Sequence, residues 1–409
     1  MENALSRPAG GPATAQRFRE ILGSHSACLK KIRGGASVAG ADMPVSSDEK
    51  AVRRRSSYIP TLDGWRAIAV GLVIGAHCYG MLMNAHTRVG ALAATLLSHA
   101  GYGVDIFFAL SGYLICTLLL KEKERTGTIS MGRFYTRRAF RILPPIFIYL
   151  TALFVLTRFH LLPKIPPIDF VRVLFFARNY FLGPWYTGHF WSLAIEEHFY
   201  LVAPLFFLLL PWKWGLRIAV VLTLACIGIR WFEFAHESLF PGMLLQFRTE
   251  NRFDALLWGA ILALLLNRPA IRKWMAARLN GLVTALIGIT AVVLLNVFSA
   301  QGLRRTVVAV VMPLLIAYTV LHAESLFGKF LELGFLRWIG RLSYSLYIWQ
   351  MLFLPEGPRP LGIVQSFPLA LVLPLICAAS SYYLLEKPMI RIGHRLATSP
   401  GERLSGRYE

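Results

Sequence analysis

Long apolar runs recur along the whole chain of 409 residues and restrict it to very few kinds of fold. With 56% hydrophobic and 16% charged residues, the chain is too apolar for a soluble protein. A helix that crosses a bilayer needs about 20 apolar residues. Such runs lie at approximately 66–84, 101–120, 142–159, 190–210, 215–235, 253–267, 281–298, 305–322, 339–354 and 366–385. The sequence therefore predicts an all-α, polytopic transmembrane bundle of about ten spans.

Positively charged residues are unevenly distributed between the segments that join these runs. If the N-terminus is cytoplasmic, 32 of the 43 lysines and arginines fall on cytoplasmic segments and 11 on the opposite side. The positive-inside rule requires this asymmetry, and an even number of spans returns the C-terminus to the cytoplasm. We expect the net charge of +21 to report topology and contact with anionic membrane lipids. No aromatic–basic motif accompanies it, so a nucleic-acid partner is not expected.

The two ends of the chain are predicted to lie outside the membrane domain of residues 58–395. Residues 1–57 are rich in Gly, Ala, Ser, Arg and Lys and have no signal-peptide segment, which is typical of a disordered cytoplasmic tail. A start at Met43 would leave residues 1–42 untranslated, and both starts stay open. Residues 396–409 are predicted to form a second cytoplasmic tail. The five cysteines form no CxxC or Cys/His cluster, so no metal site is predicted.

Arg66 and His77 are eleven residues apart in the first apolar run. Eleven steps of about 100° return a helix to within about 20° of its starting direction, so both side chains are predicted on one face. The helix rise separates them by about 16 Å, with the arginine near one membrane surface and the imidazole near the midplane. Ionisable groups at that depth face a protein or water-filled interior and are candidates for function. The alternative is a boundary anchor and a hydrogen-bonded interior histidine.

Further charged residues occupy or border the apolar runs. Asp105, at the outer end of the second run, is a lone carboxylate that needs a partner. Glu196 and Glu197 lie side by side within the fourth run, about 100° apart on a helix, so at most one is expected to face a given partner. Arg138 and Arg141 are one helical turn apart at the cytoplasmic mouth. They are either positive-inside anchors or a phosphate clamp, since arginine forks bind phosphate bidentately.

Small and aromatic residues in two other places favour packing over chemistry. Ser111 and Gly112, in the middle of the second run, are small enough to let helices approach closely. Tyr344 and Tyr347 belong to an aromatic cluster that is typical of packing or of an interfacial belt.

The charged segments carry motifs that together resemble the membrane acyltransferase-3 family. The matching pieces are LDGWRAIAV followed by AHCYG, then GVDIFFALSGYLI, RAFRILPP, FWSLAIEEHFYL, GRLSYSLYIWQ and LLEKPMIR. Their order and spacing agree from about Tyr58 to Arg395, more than four-fifths of the chain.

The resemblance implies a bacterial inner-membrane enzyme with ten core helices that moves an acyl group from cytoplasmic acyl-CoA to an extracytoplasmic hydroxyl. Matched motif by motif, His77 is the implied catalytic histidine, Arg66 its paired arginine, and Arg138 with Arg141 the donor-side pair. The family's SLxxE stretch includes Glu196. Acetyl-CoA is then a donor substrate, and no permanently bound cofactor is implied.

The chemistry itself leaves alternatives open. His77 either deprotonates the acceptor hydroxyl directly or is acylated and relays the group, with Glu196 or Asp105 orienting the imidazole or holding its proton. The expected acceptor is a surface or lipid-linked saccharide, because the outward segments are rich in aromatic residues; a small secreted metabolite is the alternative. A transporter or flippase also uses intramembrane charges, but no internal repeat or pair of broken helices supports one.

Overall fold

The computed structural model describes residues 58–83, 100–240, 245–298, 300–355 and 357–398. The predicted tail of residues 1–57, the alternative start at Met43 and most of the predicted C-terminal tail lie outside these ranges.

Within the described ranges the chain is helical and has no strand. A single turn, Trp185–Gly188, precedes the fifth helix, and a π-helical segment, Tyr382–Glu386, joins the last two. In chain order the helices are α1 Thr61–Met83, α2 Gly103–Thr126, α3 Met131–Arg158, α4 Pro167–Leu174, α5 Phe190–Leu209, α6 Trp212–Ala235, α7 Thr249–Leu266, α8 Pro269–Arg278, α9 Gly281–Val297, α10 Gln301–Leu321, α11 Leu326–Leu331, α12 Gly334–Phe353, α13 Leu369–Ser381 and α14 Lys387–Ala397.

Local sequence signals set several helix ends. Gly127 ends α2 with a φ of 75°, a left-handed conformation that glycine adopts without a steric penalty, and its N–H bonds the carbonyl of Lys123. The Asn280 side chain accepts a hydrogen bond from the N–H of Val283 at the start of α9, and Ser325 does the same for Gly328 in α11.

Six helices in the described part of the chain are long and apolar enough to cross a membrane. They are Gly103–Thr126, Met131–Arg158, Trp185–Leu209, Trp212–Ala235, Gln301–Leu321 and Leu369–Ala397. A seventh is added if the segments Leu245–Leu266 and Pro269–Arg278, bent by 108° at their junction, form one span. The chain is therefore a multi-pass membrane protein.

All ten predicted runs coincide with helices, including α1, α9 and α12, which are not among those six or seven. The total of ten spans and the cytoplasmic orientation of the termini stay predictions.

Glycines let the central helices approach one another closely. Gly112 of α2 faces the backbone carbonyl of Leu256 on α7, and Gly259 of α7 faces the carbonyl of Ala109 on α2, so a Cβ at either glycine would collide with the opposite backbone. Gly112 thus has the packing role predicted for it. Gly340 of α12 lies in the same way against the backbone of Asp63 on α1.

Two contacts fix how α1 and α12 lie alongside each other. Near the start of both helices Gly340 meets Asp63, and further along both helices Gln350 meets His77. The two helices are therefore parallel, and residues that come later in one lie beside residues that come later in the other.

Candidate active site

A cavity enclosing about 730 Å³ of empty space, its open mouth included, lies between α1, α2, α3, α5 and α12. The charged residues in its wall are Arg66, Arg138, Arg141, Glu196 and Glu197. Hydroxyl groups are the other polar feature of the wall and come from Ser111, Ser192, Tyr200, Ser343, Tyr344 and Tyr347. Arg66, the Arg138–Arg141 pair and the Glu196–Glu197 pair therefore line one cavity, although they are far apart in sequence.

Three guanidinium groups enter this cavity, and two of them have no carboxylate partner. Arg66 lies 3.5 Å from a carboxylate oxygen of Asp63. The Arg138 guanidinium lies over the ring of Tyr200, 4.3 Å from its centroid. Neither Arg138 nor Arg141 makes a hydrogen bond or an ion pair with a residue that the structure describes. Half-buried cations that make no ion pair with a protein carboxylate are suited to an anionic ligand.

The two glutamates of the cavity wall have different surroundings. Glu196 accepts hydrogen bonds from the hydroxyls of Ser111, at 3.0 Å, and Tyr200, at 2.5 Å, through the same carboxylate oxygen. Glu197 makes no hydrogen bond to any described residue, and its main electrostatic partner is Arg138. The hydroxyl partners belong to Glu196 alone, as expected for neighbours about 100° apart on a helix. Ser111 therefore bonds a carboxylate as well as allowing close packing.

His77 lies beyond the far end of the cavity and is not part of its wall. Its Nδ1 is 3.2 Å from the amide oxygen of Gln350, which is fully buried on α12, and its ring meets that of Trp185 edge-on at 5.5 Å. An amide oxygen can only accept a hydrogen bond, so this contact requires a proton on Nδ1 and leaves the lone pair on Nε2.

Two neighbouring side chains carry polar atoms without hydrogen-bond partners among the described residues. The Gln350 amide nitrogen is one of them, and the two ring nitrogens of His189 are the others. His189 is buried, interacts electrostatically with His77, and has the backbone of Ile348 beside its ring. Native proteins satisfy nearly all buried polar atoms, so unbonded ones beside His77 are suited to polar groups of a ligand.

Asp105 has the partners that a buried carboxylate requires, but neither Asp105 nor those partners line the cavity. It lies 3.0 Å from Arg252 and 3.2 Å from Arg305. Beside this cluster Arg230 and Asp254 form a bidentate pair with two contacts of 2.8 Å. These ion pairs connect α2, α6, α7 and α10.

Neither of the two predicted orienting carboxylates, Asp105 and Glu196, hydrogen-bonds His77. Gln350 holds the imidazole instead. A catalytic role for Asp105 or Glu196 stays a prediction.

The far end of the cavity is closed by a group of buried hydroxyls. The Tyr347 hydroxyl lies 2.6 Å from Ser192 Oγ and 3.0 Å from the carbonyl oxygen of His189. Ser192 Oγ is also 3.2 Å from that carbonyl oxygen, and since each hydroxyl has one proton, one hydroxyl donates to the other and the second donates to the carbonyl. The packing role predicted for Tyr347 is therefore incomplete, because the residue also lines the cavity and its hydroxyl bonds other helices.

The sequence patterns assigned no site role to Gln350, His189, Ser192 or Glu197, although one signal was available for all four. Each is a polar residue in or at the edge of an apolar run, where polar groups are costly and need a partner or a function. Their contacts depend on helices distant in sequence: Gln350 is 273 residues from His77.

In the described ranges no group of three or more His, Cys, Asp or Glu side chains is arranged to hold a metal ion.

Comparison with known proteins gives a consistent result along most of the chain. The acyltransferase domain of the acyltransferase-3 family matches residues 59–380. The O-acetyltransferase OatA of Staphylococcus aureus (strain NCTC 8325 / PS 47) is 30% identical over 376 residues, 83% of this chain and 58% of the relative. The peptidoglycan O-acetyltransferase OatA of Listeria monocytogenes serovar 1/2a is 28% identical over 384 residues, 84% of this chain and 58% of the relative. The chain thus spans less than two-thirds of the length of these relatives. No solved structure matches it.

Proposed function

The chain belongs to the acyltransferase-3 family, and we propose that it is an inner-membrane O-acetyltransferase that takes an acetyl group from cytoplasmic acetyl-CoA and transfers it to a hydroxyl on the opposite side. The cavity is the observation that carries this proposal: it has two arginines without an ion-pair partner among the described residues at one end and a histidine just beyond the other. A donor that is anionic at one end and reactive at the other fits this polarity.

The donor is proposed to bind with its phosphates on Arg138 and Arg141. Both guanidinium groups lack a protein carboxylate and present forks that match phosphate oxygens. Arg66 adds a third positive charge, although Asp63 at 3.5 Å offsets part of it. The rise from Arg66 to His77 along α1 is about 16 Å, the scale of the pantetheine arm that carries the thioester. A donor held by its phosphates can therefore reach the level of His77.

Glu196 is proposed to position the donor site through Tyr200. The carboxylate accepts the Tyr200 hydroxyl at 2.5 Å, and the Tyr200 ring lies under the Arg138 guanidinium at 4.3 Å. A cation over an aromatic face is attracted by the ring quadrupole, so fixing the ring also fixes the arginine.

His77 is proposed to carry the chemistry through Nε2, with Gln350 holding its tautomer. In the direct route Nε2 takes the proton of the acceptor hydroxyl, whose oxygen bonds to the thioester carbon as the C–S bond breaks and the thiolate leaves. In the relay route Nε2 bonds to that carbon first and releases the thiolate. The acceptor hydroxyl oxygen then bonds to the acyl carbon as the C–N bond breaks, the imidazole regains its Nε2 lone pair, and the hydroxyl proton passes to Nε2 and on to the released thiolate. The Gln350 amide nitrogen, which has no hydrogen-bond partner among the described residues, is available to a ligand in either route.

The proposed acceptor is a cell-surface saccharide. The support is the name of the Listeria relative, a peptidoglycan O-acetyltransferase, together with the aromatic residues between α3 and α5 in this chain. Aromatic rings stack on the apolar faces of sugars while polar neighbours bind the hydroxyls.

The test is acetyl transfer by the purified protein in detergent or nanodiscs, with acetyl-CoA and peptidoglycan fragments. Release of free thiol and formation of sugar acetyl esters are measured together. We expect both for the wild type and neither for His77→Asn, at equal amounts of folded protein. No thiol release above the level of a protein-free control would contradict the proposal, whereas thiol release without sugar ester would contradict the saccharide acceptor.

A further inference from the structure

Tyr347 lies between the donor cavity and His77. It is part of the cavity wall, and Gln350, which bonds His77, lies one helical turn further along α12. On α1 the order is the same, with Arg66 in the wall and His77 three turns later. Because α1 and α12 run in parallel, a group that moves from the arginines towards His77 must pass the level of Tyr347.

At that level the passage is filled by side chains. Tyr347 and Ser192 are both buried, and their hydroxyl oxygens are 2.6 Å apart, across the space between α12 and α5. The carbonyl oxygen of His189 lies 3.0 and 3.2 Å from the two hydroxyl oxygens and accepts the proton that is not shared between them. The ring of Phe107 meets the Tyr347 ring from α2, with centroids 6.1 Å apart. Three helices thus meet around one tyrosine.

We propose that the Tyr347–Ser192 pair is a gate that selects short acyl groups, a role that rests on the proposed acyl transfer. The thioester carbon reaches His77 only when the hydroxyl pair separates, and the Tyr347 ring then limits what can follow. Each additional methylene of the acyl chain has to displace a buried ring that packs against Phe107 and His189. An acetyl group carries only a methyl group beyond its thioester carbon and can pass. A butyryl group is longer and requires space that Tyr347 and Phe107 occupy.

The hydrogen bonds and the ring make separable contributions. Tyr347→Phe and Ser192→Ala remove the bond between the two hydroxyls and keep the ring. Tyr347→Leu removes the ring and leaves an apolar wall. If the ring limits chain length, only Tyr347→Leu should open the site to longer donors. The hydroxyl variants should instead increase thioester hydrolysis to acetate, because a looser gate admits water to the acyl group.

The experiment compares kcat/KM for acetyl-CoA and butyryl-CoA in the wild type and these variants. The ratio of the two constants does not depend on the fraction of folded protein, since both are measured on the same sample. One methylene in an apolar pocket changes such a ratio by about 10- to 200-fold. We expect the kcat/KM of the wild type to be at least about 100-fold higher for acetyl-CoA than for butyryl-CoA. For Tyr347→Leu the same ratio should be less than about tenfold.

A matched control is available on the same helix. Tyr344 also lines the cavity, one turn nearer the arginines, and its hydroxyl bonds the carbonyl of Ile142. Tyr344→Leu should keep the wild-type donor ratio, whatever its effect on the rate. If Tyr347→Leu proves inactive with both donors, Phe107→Ala replaces it, with the same expected fall in the ratio.

Failure of the gate and failure of the proposed function give different results. A wild type that consumes acetyl-CoA, with a Tyr347→Leu or Phe107→Ala variant that keeps the wild-type ratio, would overturn the gate alone. A wild type that consumes neither donor would overturn the function and the gate together.

Discussion

Replacing Arg141 by alanine should weaken acetyl-CoA binding at least as much as any other single arginine substitution in the cavity. Arg141 makes no hydrogen bond or ion pair with a described residue, so its substitution breaks no such contact within the described part of the protein. A hydrogen bond to a charged group contributes about 1.5–3 kcal/mol. At about 1.4 kcal/mol for each tenfold change, Arg141→Ala should raise the Kd by roughly 10- to 150-fold.

The structure also ranks the neighbouring arginines. Arg138→Ala should have a similar effect, because the contacts of Arg138 are with aromatic rings. Arg66→Ala should have a smaller one, because Asp63 already offsets part of its charge. Arg141→Lys should fall between Arg141→Ala and the wild type, since lysine keeps the charge and loses the fork.

The assay is calorimetric titration of the purified protein with acetyl-CoA at two salt concentrations. The control is Arg217→Ala, an exposed arginine on α6 that lies beside Trp214, outside the cavity. It removes one positive charge from the same predicted membrane side and should leave the Kd within about twofold of the wild type. Equal Kd values for Arg141→Ala, Arg138→Ala and Arg217→Ala would refute the phosphate clamp.

Three further predictions concern the residues around the cavity. Asp105→Asn should destabilise the protein by about 3–5 kcal/mol, because it leaves the buried Arg252 without its carboxylate. Thermal unfolding in detergent measures this loss, and the affinity for acetyl-CoA should not change. The control is the exposed Glu124→Gln, whose unfolding temperature should stay near that of the wild type. Gly112→Ala should lower the free energy of unfolding by about 1–3 kcal/mol, because its methyl group meets the carbonyl of Leu256. Gly71→Ala, where the methyl group would face open space, should leave that free energy nearly unchanged. Equal unfolding temperatures for the two variants would contradict the close α2–α7 contact. Glu196→Gln weakens the hold on Tyr200 and should raise the Kd for acetyl-CoA by about three- to tenfold, less than Arg138→Ala; titration of both side by side checks the order.

Local periodicity was sufficient to predict the helices and part of the site. The ten apolar runs coincide with helices because a continuous apolar stretch in lipid must satisfy its hydrogen bonds internally. Arg66 and His77 share α1, and Arg138 and Arg141 share a turn of α3. The 108° bend after Leu266 was not predicted, since it depends on how α8 packs rather than on hydropathy.

Pairings between helices could not be predicted from one sequence. Asp105 needs a partner on electrostatic grounds, but nothing near it in sequence identifies Arg252 and Arg305. Likewise, a carboxylate was expected beside His77, and the structure has the amide of Gln350 there. The role of Tyr347 likewise depends on its contact with Ser192, which lies on another helix and is 155 residues away in sequence. Such contacts are set by tertiary structure.

The most direct test of the central claim follows the acetyl group across the membrane. Inverted membrane vesicles are loaded with peptidoglycan fragments, and acetyl-CoA carrying a radiolabelled acetyl group is added outside, on the cytoplasmic face. Wild-type vesicles should accumulate labelled sugar esters inside, while vesicles with His77→Asn at equal protein level should accumulate none and still bind acetyl-CoA with wild-type affinity. Label transfer by His77→Asn at the wild-type rate would contradict the account.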